Sequence, residues 1–369
     1  QTLLHYPAHG PLVADAVWEW VKELPEAHYF LAGEALPWGD GRAARTAVAL
    51  PIVDVERTTP IGGLYLVLSQ WGTGPVRELL PAAQALAAQI ASALHSAEVY
   101  ERTLAHQKVE QELALAGTIQ ASFLPRDLPD IAGWEFAVWI APARQTSGDF
   151  CDWIALPGGR LAIVIADVAD KGLGAALFMA LSRTLIRTYA VEHHERPELA
   201  LAAANQRILS DTNSSMFVTA FFGVLDPTNG ILTYCNAGHN PPYMLNGQAA
   251  RALGATGLPL GILEELTWNA ETLHFAPGDA LLLYTDGITE AGNLPGDFFG
   301  TERLLAVAQS TAERSAHALQ DAITDAVFDW IGPAPQFDDM TMMVLVRGAE
   351  PPPGVDGRSI AGGMPWNPL

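Results

Sequence analysis

The chain has 369 residues, 49% of them hydrophobic, which is enough for two or three domains with packed cores and too apolar for a wholly disordered chain. Lys and Arg number 20 against 41 Asp and Glu, a formal net charge of −21, so phosphate backbones and anionic lipid are repelled and neither a nucleic-acid partner nor a membrane surface is expected. The two cysteines, Cys151 and Cys235, exclude a disulfide framework and suit a reducing compartment. No apolar run reaches the roughly 18 to 20 residues of a membrane span. The chain opens on Gln1 with no signal-peptide pattern after it, and the expectation is a cytoplasmic fragment of a longer protein.

Residues 1–75 alternate helical and strand-like patterns. Asp15–Leu24 reads as a short amphipathic helix, and Ala47–Val53 and Gly63–Leu68 as strands parted by a polar turn at Glu56–Pro60. After the turn at Gly72–Pro75 a long helix is expected, with Leu79, Leu86, Ile90, Leu94 and Ala97 near helical spacing. The pattern continues through Leu104, Val109, Leu113, Ala116, Ile119 and Phe123 until Pro125 and Pro129 end it. Its stripe is thin and its flanks polar, so either it pairs with a second copy as a coiled-coil dimer or it lies as a linker against a neighbouring domain.

From Trp134 to Arg347 the pattern is that of a compact α/β domain. Leu161–Ala166 reads as a buried strand, followed by two helices at Gly174–Ala190 and Glu198–Leu209. Strands are expected at Phe217–Leu225, Ile231–Asn236, Tyr243–Leu245 and Ala280–Tyr284, helices near Glu302–Gln309 and Ala316–Trp330, and a last strand at Met340–Val346. Strands joined by short turns, with helices arriving in pairs, predict stacked antiparallel sheets flanked by helices and not a Rossmann-type alternation. The Pro- and Gly-rich stretch 348–369 is expected to be a disordered tail.

Four short segments carry carboxylates at strand ends: Ser147–Asp152 (SGDFCD), Ile165–Gly172 (IADVADKG), Tyr284–Gly287 (YTDG) and Phe337–Thr341 (FDDMT). Any one of them is explained by a turn or a helix cap. Four in one domain suggest a shared site, because an unpaired buried carboxylate is costly. With no His/Cys cluster at zinc spacing, an all-oxygen donor set points to Mg²⁺ or Mn²⁺.

The stretch from Leu113 to Val346 resembles a PPM-type serine/threonine phosphatase domain of the bacterial SpoIIE/RsbU kind. SGDFCDW (147–153), IADVADKGLGAAL (165–177), MFVTAFFGVLD (216–226), YCNAGHNPP (234–242), GLPLGI (257–262), LLYTDGITEA (282–291), FG (299–300) and FDDMTMMVLV (337–346) stand in the expected order, after IQASFLP (119–125). The resemblance implies an α/β fold built as an antiparallel β-sandwich between helices (α-β-β-α) over 125–347. It implies two divalent cations, Mn²⁺ or Mg²⁺, that activate a water for attack on a phosphoserine or phosphothreonine. Asp167 matches the aspartate that bridges both metals, with the Val168 carbonyl on one of them. Asp149 matches the supporting first-motif aspartate, and Asp286 and Asp338 match the later pair, Asp339 competing with Asp338 for that place. Asp152 and Asp170 stay open between a supporting position and the surface. Cys151 stands where relatives carry Tyr, and Ser147 where they carry Gly. His239 could protonate a leaving alkoxide or be hydrogen-bonded structure, and Arg144 could grip phosphate or be solvated. Close packing of the following helix accounts for Gly172 and Gly174. By the same resemblance the substrate is a phosphorylated STAS-type anti-sigma-factor antagonist.

The segment ALPIVDVERTTPIGGLYLVLSQ (49–70) with the helix after it resembles the second half of a GAF sensory domain, so 1–75 reads as a partial GAF-like region and 76–124 as a helical linker. An unrelated small α/β module is the alternative. The function expected is a phosphoprotein phosphatase regulated by this sensory module. The alternatives are a catalytically silent phosphatase-like scaffold that binds a partner protein, and a hydrolase of small phosphate esters.

Overall fold

The structure, a computed structural model, describes residues 19–24, 26–35, 46–54, 59–67, 76–125, 127–212, 215–247, 249–312 and 314–348. The helix expected at Asp15–Leu24 falls partly outside these residues, with 19–21 helical, and the expected tail lies outside them beyond Gly348. The chain forms two compact units, residues 1–110 and 111–369.

In the first unit, strands β1 (His28–Phe30), β2 (Ala47–Val53) and β3 (Pro60–Val67) form an antiparallel sheet in that order. The two-residue period of β2 sends Val48, Leu50 and Ile52 onto the long helix α1 (Val76–Ala121), where Ala83, Ala87 and Ala91 meet them. Alanines four apart on one helix stripe let the helix backbone lie close on the sheet. Ala47 and Ala49 face the other way, against Val21. Along α1 the apolar residues Leu94, Leu104, Val109, Leu115 and Ile119 are exposed.

The second unit is a four-layer sandwich. One sheet has the order β10-β9-β12-β13-β4, from β10 (Ala249–Ala252), β9 (Tyr243–Asn246), β12 (Ala280–Tyr284), β13 (Met340–Arg347) and β4 (Trp134–Ala141). The other runs β11-β8-β7-β6-β5, from β11 (Glu271–His274), β8 (Ile231–Ala237), β7 (Val218–Asp226), β6 (Arg160–Val168) and β5 (Phe150–Leu156). All the ladders are antiparallel.

Continuous apolar strands follow from burial on both faces. In β6, Leu161, Ile163 and Ile165 point between the sheets and meet Leu281, Leu283, Met343 and Leu345 of the opposite sheet. The alternate residues, Ala162, Val164 and Ala166, pack outward on helices α2 (Leu173–Glu192) and α3 (Pro197–Asp211) through Phe178, Met179, Ile186, Leu201 and Ile208. On the opposite side Leu282, Met342 and Val344 pack on α5 (Gly300–Ser310) and α6 (Ala316–Ile331) through Leu304, Leu319, Ile323 and Val327. The stacked antiparallel arrangement expected from the strand pattern is the one observed.

Candidate metal centre

Strand register gathers the motif aspartates at one end of the sandwich. In the first sheet-edge pair, Phe150 at the start of β5 lies opposite Ala166 near the end of β6. In the other sheet, Tyr284 at the end of β12 lies opposite Met342 near the start of β13. Asp149 directly precedes β5, Asp167 is the next-to-last residue of β6, Asp286 opens the short helix α4 (Asp286–Thr289), and Asp338 and Asp339 directly precede β13.

Counting by twos from Cys151 and Ile165 places Asp149 and Asp167 on the inward faces, and counting from Leu283 and Met343 does the same for Thr285 and Thr341. The apolar core between the sheets is thus closed at this end by a polar set. Thr285 Oγ1 donates to Asp149 Oδ2 at 2.7 Å and accepts from the Thr341 N–H at 3.0 Å, so a hydroxyl of one sheet holds a carboxylate of the other.

The carboxylates feel one another. Burial, and then the Asp167 charge, raise Asp149 well above the ordinary carboxylate range. Burial, then the charges of Asp286 and its neighbours, push Asp167 up to about 7. Asp286 is raised by burial and by Asp338. Such a set stabilises added positive charge. Its donors are oxygens throughout, which fits a hard divalent cation. Gly148 keeps the place open: a Cβ there would stand 3.1 Å from the Val168 carbonyl oxygen and 3.5 Å from Asp167 Oδ1.

Asp338 and Asp339 part company. Asp339 accepts the Ala143 N–H at 2.8 Å on Oδ1 and the Gly148 N–H at 2.9 Å on Oδ2, stitching both ends of the 143–148 loop to the start of β13. Asp338 Oδ2 instead lies 2.8 Å from Lys171 Nζ. Among the described residues, no three carboxylate, histidine or cysteine side chains converge on one point as a preformed site would.

Other sequence candidates fall elsewhere. Asp152 is buried in ion pairs with Arg183 (2.9 Å) and Arg187 (2.8 Å), bracing β5 against α2. Asp170 is exposed, with Oδ1 accepting the Lys171 N–H. His239 is buried with Nδ1 2.9 Å from Thr219 Oγ1, and Thr219 is the cross-strand partner of Asp167, so the imidazole is hydrogen-bonded structure one residue removed from that aspartate. Arg144 is exposed. Both thiols are buried and raised above the ordinary range, chiefly by burial, and so stay protonated. Gly172 corrects the packing argument: a Cβ there would meet nothing within 4 Å, and the glycine is needed for a φ of 88°.

Sequence reasoning passed over Lys171, Thr285 and Gln120. The inward parity of Leu281, Leu283 and Thr285 marks the threonine as a polar residue on a core face. Gln120, buried near the end of α1, donates through Nε2 to the Ser147 carbonyl at 2.5 Å and accepts the Ser147 N–H at 2.9 Å. The exposed charge at 171 carried no pattern that could have singled it out.

Comparison with known proteins agrees with the layered fold. The chain is 35% identical over 278 residues to Protein IcfG of Synechocystis sp., covering 67% of this chain and 44% of that protein. It is 28% identical over 243 residues to the phosphoserine phosphatase RsbU of Bacillus subtilis, covering 65% and 71%. Among solved structures it is similar to the RsbU and RsbW domains of Rv1364c from Mycobacterium tuberculosis, with a TM-score of 0.53, 29% identity, and coverage of 62% of this chain and 64% of that one. The chain thus spans less than half of IcfG. The family model described as Stage II sporulation protein E (SpoIIE) matches residues 157–348. With more than half of the chain inside that match, and the same α-β-β-α layers around it, the chain belongs to the SpoIIE family of PPM-type phosphatase domains.

Proposed function

We propose that the chain is a metal-dependent phosphoprotein phosphatase that hydrolyses phosphoserine or phosphothreonine. The observation that carries this is the gathering of Asp149, Asp167, Asp286 and Asp338 at one end of the sandwich, where burial and the neighbouring carboxylate charges raise Asp149, Asp167 and Asp286. Asp167, Asp286 and Asp338, with the Val168 carbonyl, would hold two divalent cations, Mn²⁺ or Mg²⁺. Such cations, when bound, supply a water of lowered pKa and positive charge for the phosphoryl oxygens.

The chain's own groups prepare that place. Asp149, fixed by Thr285, supports Asp167 from the neighbouring strand. Asp339 holds the loop that carries Gly148, and Gly148 leaves the Val168 carbonyl uncovered. With both thiols protonated, neither cysteine serves as nucleophile. Similarity to the phosphoserine phosphatase RsbU supports a phosphoserine substrate, which by the family resemblance would be an anti-sigma-factor antagonist of the STAS type, and two buried, unpaired thiols suit action in the cytoplasm.

The first unit, read as a partial GAF-like sensor, would act through α1. The Gln120–Ser147 pair supports this, because it attaches the helix to the residue before Gly148–Asp149. The exposed apolar stripe of α1 supports a homodimer seam.

The test is phosphate release from a phosphoserine protein and from an aryl phosphate, with Mn²⁺, with chelator, and with Asp167→Asn. Turnover that needs the metal and is abolished by the substitution is the expected result. A silent, partner-binding scaffold is favoured by one observation, the absence among the described residues of a closed three-carboxylate point. Tight Mn²⁺ binding by a folded protein with no turnover on either substrate would support that reading instead.

A further inference from the structure

Lys171 lies in the loop between β6 and α2, and its ammonium faces the acidic cluster. Nζ is 2.8 Å from Asp338 Oδ2 and donates to the Phe337 carbonyl at 3.1 Å, reaching across 166 residues of sequence. Its charge is also felt at Asp286 and Glu290, whose raised carboxyls it pulls back down.

The backbone that presents this side chain is unusual. Asp170 has a φ of 117°, in a region L residues rarely occupy, and Gly172 follows with a φ of 88°. Strained residues persist where their surroundings hold them, and they cluster at functional sites. Here Asp170 Oδ1 accepts the Lys171 N–H at 2.7 Å and holds the bend. Stability does not explain the pair. The Lys171 side chain is 45% exposed and that of Asp338 36%, and an exposed ion pair contributes little to folding.

We propose that Lys171 is a phosphoryl-binding residue, whose ammonium donates to a non-bridging oxygen of the substrate's phosphate monoester. The inference rests on the metal-dependent reading above, which places Asp338 among the cation ligands. A carboxylate whose charge is taken up by a divalent cation holds a neighbouring ammonium weakly. The Lys171 stem is flexible, its head carries three donors, and solvent already reaches it, so Nζ is free to turn to an anion seated beside Asp338. An ammonium on an oxyanion is among the stronger hydrogen bonds available to a protein.

The test uses the full chain loaded with Mn²⁺, with Lys171→Met and Lys171→Arg. Calorimetric binding of inorganic phosphate is the direct readout, and KM and kcat on an aryl phosphate are the second. Lys171→Met should weaken phosphate binding by about ten- to a hundredfold and raise KM by a similar factor, with a smaller change in kcat. Lys171→Arg should recover most of both, and Mn²⁺ should bind Lys171→Met at least as tightly as the parent. Equal phosphate binding by Lys171→Met and the parent overturns the proposal. So does loss of Mn²⁺ binding in Lys171→Met, which would make the lysine an orienter of Asp338, and so does a loaded parent that binds no phosphate. If the parent binds Mn²⁺ and phosphate but hydrolyses neither substrate, the phosphatase reading fails while the calorimetric comparison still decides the role of Lys171.

Discussion

At the scale of single residues, Asp338 and Asp339 are neighbours with different partners, one facing an exposed lysine and the other two backbone amides. Asp339→Ala leaves the part-buried N–H groups of Ala143 and Gly148 without acceptors and should cost about 2–3 kcal/mol of stability. Asp338→Ala should cost about 1 kcal/mol but weaken Mn²⁺ binding, because the fold loses a solvated ion pair and one hydrogen bond from the Asp339 N–H. Chemical denaturation and calorimetry on both variants would expose a reversed assignment. His239 gives a pH prediction. Burial pushes its pKa down to about 4 from 6.5, so the unfolded chain takes a proton there that the folded chain refuses. The stability contributed by the neutral ring is complete above pH 6.5 and is lost as the pH falls towards 4. The raised Asp167 acts in the opposite sense in the cation-free protein, so the comparison is made between variants. Going from pH 7.5 to 5, wild type should lose about 2 kcal/mol more than His239→Asn. Parallel losses in urea denaturation at the two pH values would remove the imidazole from the account.

Among elements, the tie between β5 and α2 is the clearest. Asp152 receives Arg183 and Arg187 with almost no exposure of its own, and β5 is the strand that Asp149 precedes. Asp152→Ala leaves the arginines uncompensated, Arg183 nearly buried, and should destabilise the chain by about 3–5 kcal/mol. A loss below about 1 kcal/mol in denaturant would show the clamp to be dispensable. Element boundaries were legible where burial is two-sided or alternation is clean. Ala47–Val53 and Ala280–Tyr284 match the expected strands end for end. β10 and β11 were missed because they are four-residue edge strands with mostly exposed faces, which leave no apolar period to read. β4 and β5 are also hard to read from the sequence, since Glu135 and Asp152 interrupt their apolar runs.

For the whole molecule, the division into two units falls inside α1, a 46-residue helix. A helix with leucine, valine and isoleucine exposed along its length would be stabilised by a partner that covered them. We expect the full chain to sediment as a dimer and residues 111–369 as a monomer with an altered phosphatase rate. Identical oligomeric states and rates for the two would remove both the seam and the regulatory role of the first unit. The formal charge of −21 argues for the same economy of partners, because an acidic molecule is steered towards basic surfaces and away from nucleic acid.

By itself, the sequence determined the layered antiparallel plan and the segments bearing Asp149, Asp167, Asp286, Asp338 and Asp339, since apolar period and short motifs are local properties of a chain. Only the tertiary structure decided what each carboxylate touches. Asp149 meets Thr285 across 136 residues, Asp152 meets Arg187 across 35, and Asp339 meets Gly148 across 191. Those partners are chosen by strand register, by the facing of the two sheets and by the seat of α2 on β5, and a one-residue slip of a strand would turn its side chains to the other face.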